Sequence, residues 1–384
     1  MKVAYFTPNT FATVNAGALR NVGVAQALRS VGHDVHILTT DPRETQPDPD
    51  WREIIGGDRI SVQARGLAGP RQRLTAKAYR SLAGGFPKVG DIVDEVKPDA
   101  ILLYDSNIGS ILRLRHQAER RLLPLALDLT EWHSPFNGSP PTRWPLGLLG
   151  ELSMRRFAPQ VPRAIVISTR MQRHFARHGT PAIVVPPLFA LGSLENRSRP
   201  TGPTRLIAVG SDFDATGKDG LGLGLVLRAL SGMGVEASNY SVDVVGPISE
   251  GEAARFCAYP GVHITFHGSI SRRDALRLVE EADFSVALRS AENRRMAYGF
   301  PSKVPESLLL GTPVLANRFS DLSSHLIEGA NAVLVDDFSV ESIASAIRRC
   351  RANFDREAIA REAHARYSPE AWGQRLSAFL GFPV

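Results

Sequence analysis

The chain has 384 residues, which at roughly 150 residues per domain predicts two to three domains. Hydrophobic residues make up 43% and charged residues 22%, which excludes a disordered or fibrous polymer and allows a large buried core. The formal charge of +6, from 45 Lys+Arg against 39 Asp+Glu, suits anionic partners. No run approaches the ~18 apolar residues of a membrane span. Cys257 and Cys350 are too few for a disulfide framework and neither sits in a metal-ligand cluster. With no leader-type cleavage pattern after Met1-Lys2, these features predict a cytoplasmic protein.

Short apolar runs alternate with longer helical stretches, the pattern of parallel α/β units. In the first half, strands are predicted over Val3–Thr7, Val35–Thr39, Ala100–Tyr104, Pro124–Leu129, Ala164–Ser168 and Ile183–Val185. The clearest helix is Ala18–Val31, read as one apolar and one polar face. Leu188–Thr204 is rich in Gly, Ser and Pro and reads as a linker. Strands then resume over Leu206–Val209, Val242–Val245, His263–Phe266, Phe284–Leu288, Pro313–Ala316 and Ala332–Val335. Helices are predicted over Arg273–Ala282, Ser302–Leu310 and Val340–Arg349, and a last amphipathic one over Ser368–Leu380. The fold class is therefore α/β, with two Rossmann-like domains, 1–190 and 204–365, facing across a central cleft. Residues 366–384 form a helix that crosses back.

The most informative segment is Tyr298-Gly299-Phe300-Pro301-Ser302-Lys303-Val304-Pro305-Glu306, followed by Gly311-Thr-Pro-Val-Leu-Ala. Gly299 to Ser302 form a turn before a helix, and free N–H groups at a helix start favour phosphate. Lys303 adds a positive charge. Glu306 lies one turn further on the same face, and a carboxylate accepts two hydroxyls at once, as a ribose offers. A plain helix cap by Ser302 with a solvated Glu306 is the structural alternative.

On Pro301-Ser-Lys-Val-Pro-Glu306 and Gly311-Thr-Pro-Val-Leu-Ala, late in a second Rossmann-like domain, the chain resembles the GT-B glycosyltransferases of the retaining family 4, or group 1. The resemblance implies transfer of a sugar from a nucleoside diphosphate sugar, UDP- or GDP-linked, to a hydroxyl acceptor. It implies retention of anomeric configuration and no obligatory metal or cofactor. It also implies the roles of several residues. Glu306 binds ribose; Gly299 to Ser302 and Lys218 hold phosphate; Gly17 lets the backbone approach the diphosphate and acceptor; Gly210, Gly246 and His267 line the nucleotide. His133, after the strand ending at Leu129, acts near the anomeric centre, flanked by Asp128 and Glu131, with Trp132 offering a flat face to sugar or to packing. His133, Lys218 and Glu306 are the catalytic candidates. Two positions depart from the family pattern. Ser211 stands where an arginine is usual, with Arg294, Arg295 or Lys303 as substitutes. Tyr298 stands where the first of two glutamates is usual, with Glu292 six residues before it.

From Arg143 to His178 there are seven arginines and one acid, Glu151; Arg71 to Lys88 is also basic. A peripheral contact with an anionic membrane or lipid-linked acceptor is one reading, and a solvated arginine face the other. No nucleic-acid motif is present. The sequence thus points to a glycosyltransferase of polysaccharide, glycolipid or secondary-metabolite synthesis, acting on a carbohydrate, glycolipid or small-molecule acceptor. A nucleotide-sugar epimerase on the same fold and a non-catalytic nucleotide-sugar binder are the alternatives.

Overall fold

The computed structural model describes residues 1–40, 50–65, 82, 85–86, 88–104, 106–132, 144–192, 202–210, 213, 222–288, 298–350 and 353–382. The chain divides into two units. One comprises Met1–Ala190, Tyr298–Phe300 and Ser368–Val384; the other comprises Leu191–Ala297 and Pro301–Tyr367.

The first unit runs β1 (Lys2–Thr7), α1 (Ala16–Ser30), β2 (Asp34–Thr39), α2 (Asp50–Ile55), β3 (Ile60–Ala64), α3 (Val89–Val96), β4 (Ala100–Leu103), α4 (Ile108–Arg121) and β5 (Leu125–Leu129). It continues with α5 (Trp144–Leu152), β6 (Arg163–Val166), α6 (Thr169–Arg177) and β7 (Ala182–Val184). Its seven strands form one sheet in the order β3-β2-β1-β4-β5-β6-β7, and every printed pairing is parallel. β4 and β5 are buried along their whole length, as strands covered on both faces must be.

Two sequence expectations change here. Helix α1 is not two-faced: every residue from Ala18 to Leu28 is buried, including Arg20, Asn21 and Gln26. Its polar positions face partners inside the protein instead of water. The segment read as a linker begins as core, because Leu188 and Phe189 are buried. A Cβ at Gly23 would lie 2.3 Å from the Leu188 carbonyl oxygen, so α1 and this segment touch backbone to backbone.

The second unit runs β8 (Thr204–Val209), α7 (Leu223–Gly232), β9 (Tyr240–Val245), α8 (Glu250–Cys257), β10 (His263–Gly268), α9 (Arg272–Glu281), β11 (Phe284–Ala287), α10 (Lys303–Leu309), β12 (Val314–Asn317), β13 (Ala332–Val335), α11 (Val340–Arg349) and α12 (Arg356–Tyr367). Its six strands are ordered β10-β9-β8-β11-β12-β13, again parallel. Serine caps start three of its helices: Ser249 with Glu252 as a capping box, Ser271 and Ser339. Leu206, Val242, Phe284, Leu315 and Ile347 belong to its main core. In both sheets the strand order reverses beside the first strand, at β1/β4 and at β8/β11. The carboxyl ends of strands at such a reversal are where open α/β sheets bind ligands.

The tail helix α13 (Gly373–Leu380) packs on α1 in the first unit. Gly373 permits the approach, since a Cβ there would sit 2.6 Å from the Ala27 carbonyl oxygen. The buried His33 ring holds Ser377 Oγ at 2.8 Å, and Arg163 donates to the Leu380 carbonyl at 3.0 Å.

Candidate functional site

The second unit places Glu306 in the first turn of α10, with its side chain 3% exposed. Pro305 is tolerated just before it because a first-turn proline lacks an N–H that would have no helical partner. Arg272, the first residue of α9, donates from Nη1 to Glu306 Oε1. Lys303 Nζ lies 2.8 Å from Oε2. Burial alone would raise this carboxyl, but the two cations hold it down to about 2 from an ordinary 4.5. Glu306 is therefore a fixed anion flanked by charge, not the solvated residue of a plain cap. Ser302 makes no side-chain cap bond.

The carboxyl ends of β8, β9 and β10 are tied by backbone contact. Gly246, after β9, has φ +137°, and a Cβ there would meet the Gly210 carbonyl oxygen at 1.7 Å. Gly210 N–H donates to Val245 O at 3.0 Å and Gly246 N–H to Gly268 O at 2.8 Å. The glycine at 246 is thus required by packing of β8 against β9. His267 sits beside them, its Nε2 2.7 Å from Asp243 Oδ1; Asp243 is also paired with Arg205. One nitrogen of the His267 ring is held there.

In the first unit a buried network crosses the carboxyl end of the sheet. Arg20 of α1 pairs with Asp128 of β5 at 2.9 Å, with side chains 3% and 0% exposed. Arg20 Nη1 also donates to the carbonyls of Val185 and Pro186 at 2.9 and 2.7 Å. Tyr5 Oη donates to Asp128 Oδ2. Burial, with the Asp128 charge next, pushes the Tyr5 hydroxyl well above its usual range. Asp128 was expected to flank His133 as a site carboxylate; it is instead an internal tie between β1, α1, β5 and the segment after β7. Gly17, in the first turn of α1, faces Asn9: a Cβ would lie 2.6 Å from Asn9 Oδ1.

Trp132 follows β5 and is buried, so it serves packing and not an open sugar face. Its Nε1 donates to Glu151 at 2.9 Å, and its ring meets His174 at 4.6 Å and Tyr298 at 4.8 Å between centroids. Arg170 stacks over the Tyr298 ring at 4.4 Å, and Ser168 Oγ donates to the Tyr298 carbonyl at 2.9 Å. Tyr298, Gly299 and Phe300 therefore group with the first unit, while Pro301, Ser302, Lys303 and Glu306 group with the second. His133, Lys218, Ser211, Glu292, Arg294 and Arg295 lie outside the described residues. Arg272, Arg20 and Arg170 are the polar residues that the sequence reading missed. Arg20 carried a signal, a charge inside an otherwise apolar helical run. Arg272 carried none, being one of a tandem pair with Arg273. No group of three or more metal-ligating side chains occurs among the described residues.

Residues 18–188 match the family model described as a glycosyl transferase 4-like domain, and residues 226–381 match one described as glycosyl transferase-like. The chain belongs to the group 1 glycosyltransferases. No curated protein matches this glycosyltransferase in sequence. Among solved structures it is similar to HepE (Alr3699) of Anabaena in complex with UDP-glucose, with TM-score 0.65, 14% identity and 99% of each chain covered. It is also similar to the sucrose-phosphate synthase tll1590 of Thermosynechococcus elongatus, with TM-score 0.66, 15% identity, and 98% of this chain and 97% of that one covered. A putative UDP-N-acetylglucosamine 2-epimerase of Listeria monocytogenes matches at TM-score 0.61 and 12% identity, covering 100% of this chain and 97% of that one. These likenesses are of fold, the GT-B arrangement of two Rossmann-like α/β domains. No helix among the described residues is long and apolar enough to cross a membrane.

Proposed function

We propose that this glycosyltransferase moves a hexose from a nucleoside diphosphate sugar to a hydroxyl acceptor, with retention at the anomeric carbon. UDP is the favoured nucleotide, because HepE, of the same fold, binds UDP-glucose. The observation that carries the reading is the buried, ionised Glu306 between Arg272 and Lys303. A carboxylate offers about four lone-pair positions, and the two cations occupy two of them. The others accept the two ribose hydroxyls. Lys303 is 35% exposed and Arg272 only 10%, so Lys303 is the partner that moves. It swings from Oε2 to the diphosphate when the donor enters, while Arg272 keeps the carboxylate fixed. Helix α10 has seven residues, so its dipole is small and side-chain cations carry the phosphate charge. The family resemblance assigns phosphate contacts also to Lys218 and to Gly299 to Ser302, and nucleotide contacts to Gly210, Gly246 and His267.

In the reaction the bond from the anomeric carbon to the phosphate oxygen breaks. The acceptor oxygen bonds to that carbon from the same face, and the acceptor proton passes to the leaving phosphate. Negative charge grows on the diphosphate as the bond stretches, and cations already in place offset it. His133 and Gly17 belong to the acceptor unit, His133 positioning the sugar and Gly17 leaving room for diphosphate and acceptor. The acceptor is a carbohydrate, glycolipid or small-molecule hydroxyl. No step of this scheme uses a metal ion.

The test is a thermal-shift panel of UDP-, GDP- and TDP-sugars, followed by incubation of the stabilising donor alone and with candidate acceptors. Glycoside formed only with acceptor supports the reading. An epimerised donor formed without acceptor identifies an epimerase, and binding without turnover or slow hydrolysis identifies a non-catalytic binder.

A further inference from the structure

We propose that helix α5 and the arginines beside it form a docking surface for an anionic lipid bilayer. Helix α5 is almost wholly apolar, Trp-Pro-Leu-Gly-Leu-Leu-Gly-Glu-Leu, yet Leu148 is 53% and Leu152 48% exposed. These leucines stand four residues apart, on one helical stripe. The helix runs directly into a π turn, Ser153–Phe157, whose exposed Arg155 and Arg156 extend the stripe. Helix α6 lies against that turn, because a ring nitrogen of His174 bonds the Met154 carbonyl at 2.8 Å. From α6, Arg173 and Arg177 are exposed. Burial first, and after it neighbouring charge that includes Arg155 and Arg177, holds the His174 imidazole below its usual range.

The counter-charge is internal. Glu151, the one acid between Arg143 and His178, accepts from Trp132 Nε1 and from Arg155. Arg156, Arg173 and Arg177 have no acidic partner among the described residues. Exposed leucines rimmed by arginines, three of which meet no acid among the described residues, have the chemistry of a helix lying in a headgroup layer, with apolar side chains among the acyl chains and cations on the phosphates. A second copy of this chain fits worse, since a two-fold contact would bring the same basic patch of both copies together.

The experiment is flotation of the full chain with vesicles of phosphatidylcholine alone or with about one third phosphatidylglycerol, at two salt concentrations. Binding is expected only to the anionic vesicles and to weaken with salt. Arg173→Glu with Arg177→Glu should lower the partition coefficient by about tenfold or more. Leu148→Ser with Leu152→Ser should lower it by roughly tenfold. Both variants should keep the wild-type circular dichroism and UDP affinity. Absence of binding to anionic vesicles, equal binding to neutral ones, or binding that neither double variant alters overturns the proposal. So does a concentration-dependent dimer, seen in sedimentation, that the leucine variant abolishes in a protein that does not float.

Discussion

Replacing Arg272 by Gln separates the two forces acting on Glu306. In the wild type the carboxyl is held at about 2 where an ordinary one titrates at 4.5. At roughly 1.4 kcal/mol per tenfold change in proton affinity, that is on the order of 3 kcal/mol of stability at neutral pH. No discount for solvent is needed, because the Glu306 side chain is 3% exposed. The unfolded chain takes up this proton near 4.5 and the folded chain holds out to about 2. The contribution is therefore complete above about 4.5 and disappears as pH falls toward 2. In Arg272→Gln only the part-exposed Lys303 opposes burial, so the carboxyl titrates higher than in the wild type and its charge is less fully compensated. Urea denaturation should show a loss of about 3 kcal/mol at pH 7 that shrinks at pH 4. Adding Glu306→Gln should recover part of the loss, because no uncompensated charge then remains. A variant within about 0.5 kcal/mol of wild type at both pH values would refute the pairing.

Asp128→Asn leaves Arg20 buried without its counter-ion and should cost about 3–5 kcal/mol in urea denaturation. Arg20→Lys should not rescue the network, since an ammonium cannot bridge a carboxylate and two carbonyls as a guanidinium does. Tyr298→Phe should keep both the near-ultraviolet circular dichroism and the turnover of wild type. Tyr298→Ala should cost about 2 kcal/mol and alter the Trp132 signal, through lost ring and cation contacts. Gly246→Ala should give little soluble protein, because its Cβ would overlap the Gly210 carbonyl at 1.7 Å; normal yield and melting would refute the close approach.

Much of the fold was legible because buried parallel strands read as short apolar runs. The runs at Val3, Val35 and Phe284 became β1, β2 and β11, and Ala332–Val335 matched β13 to the residue. β3 was missed: Ile60-Ser-Val-Gln-Ala is an edge strand, half-buried, with polar residues at alternate positions. Helix α1 was read as two-faced from Leu19, Val22, Ala25, Gln26 and Arg29, whose spacing suggests one apolar and one polar side. Arg20 and Gln26 instead meet the Val185, Pro186 and Ile54 carbonyls. At the candidate site Glu306 was legible from its local motif, but its partner Arg272 lies 34 residues away. Asp128 and Arg20 are separated by 108 residues. Pairings at such separations are products of the fold and leave no local pattern.

The central claim is that Glu306 holds the ribose of a nucleotide donor, and calorimetry with UDP and its 2′,3′-dideoxy analogue tests it from the ligand side. Wild type should bind the analogue more weakly than UDP by roughly 100-fold or more, the cost of two lost hydroxyl contacts to a charged acceptor. Glu306→Ala, folded by circular dichroism, should bind both equally and weakly. Equal affinities in the wild type, or discrimination that survives in Glu306→Ala, would contradict the account.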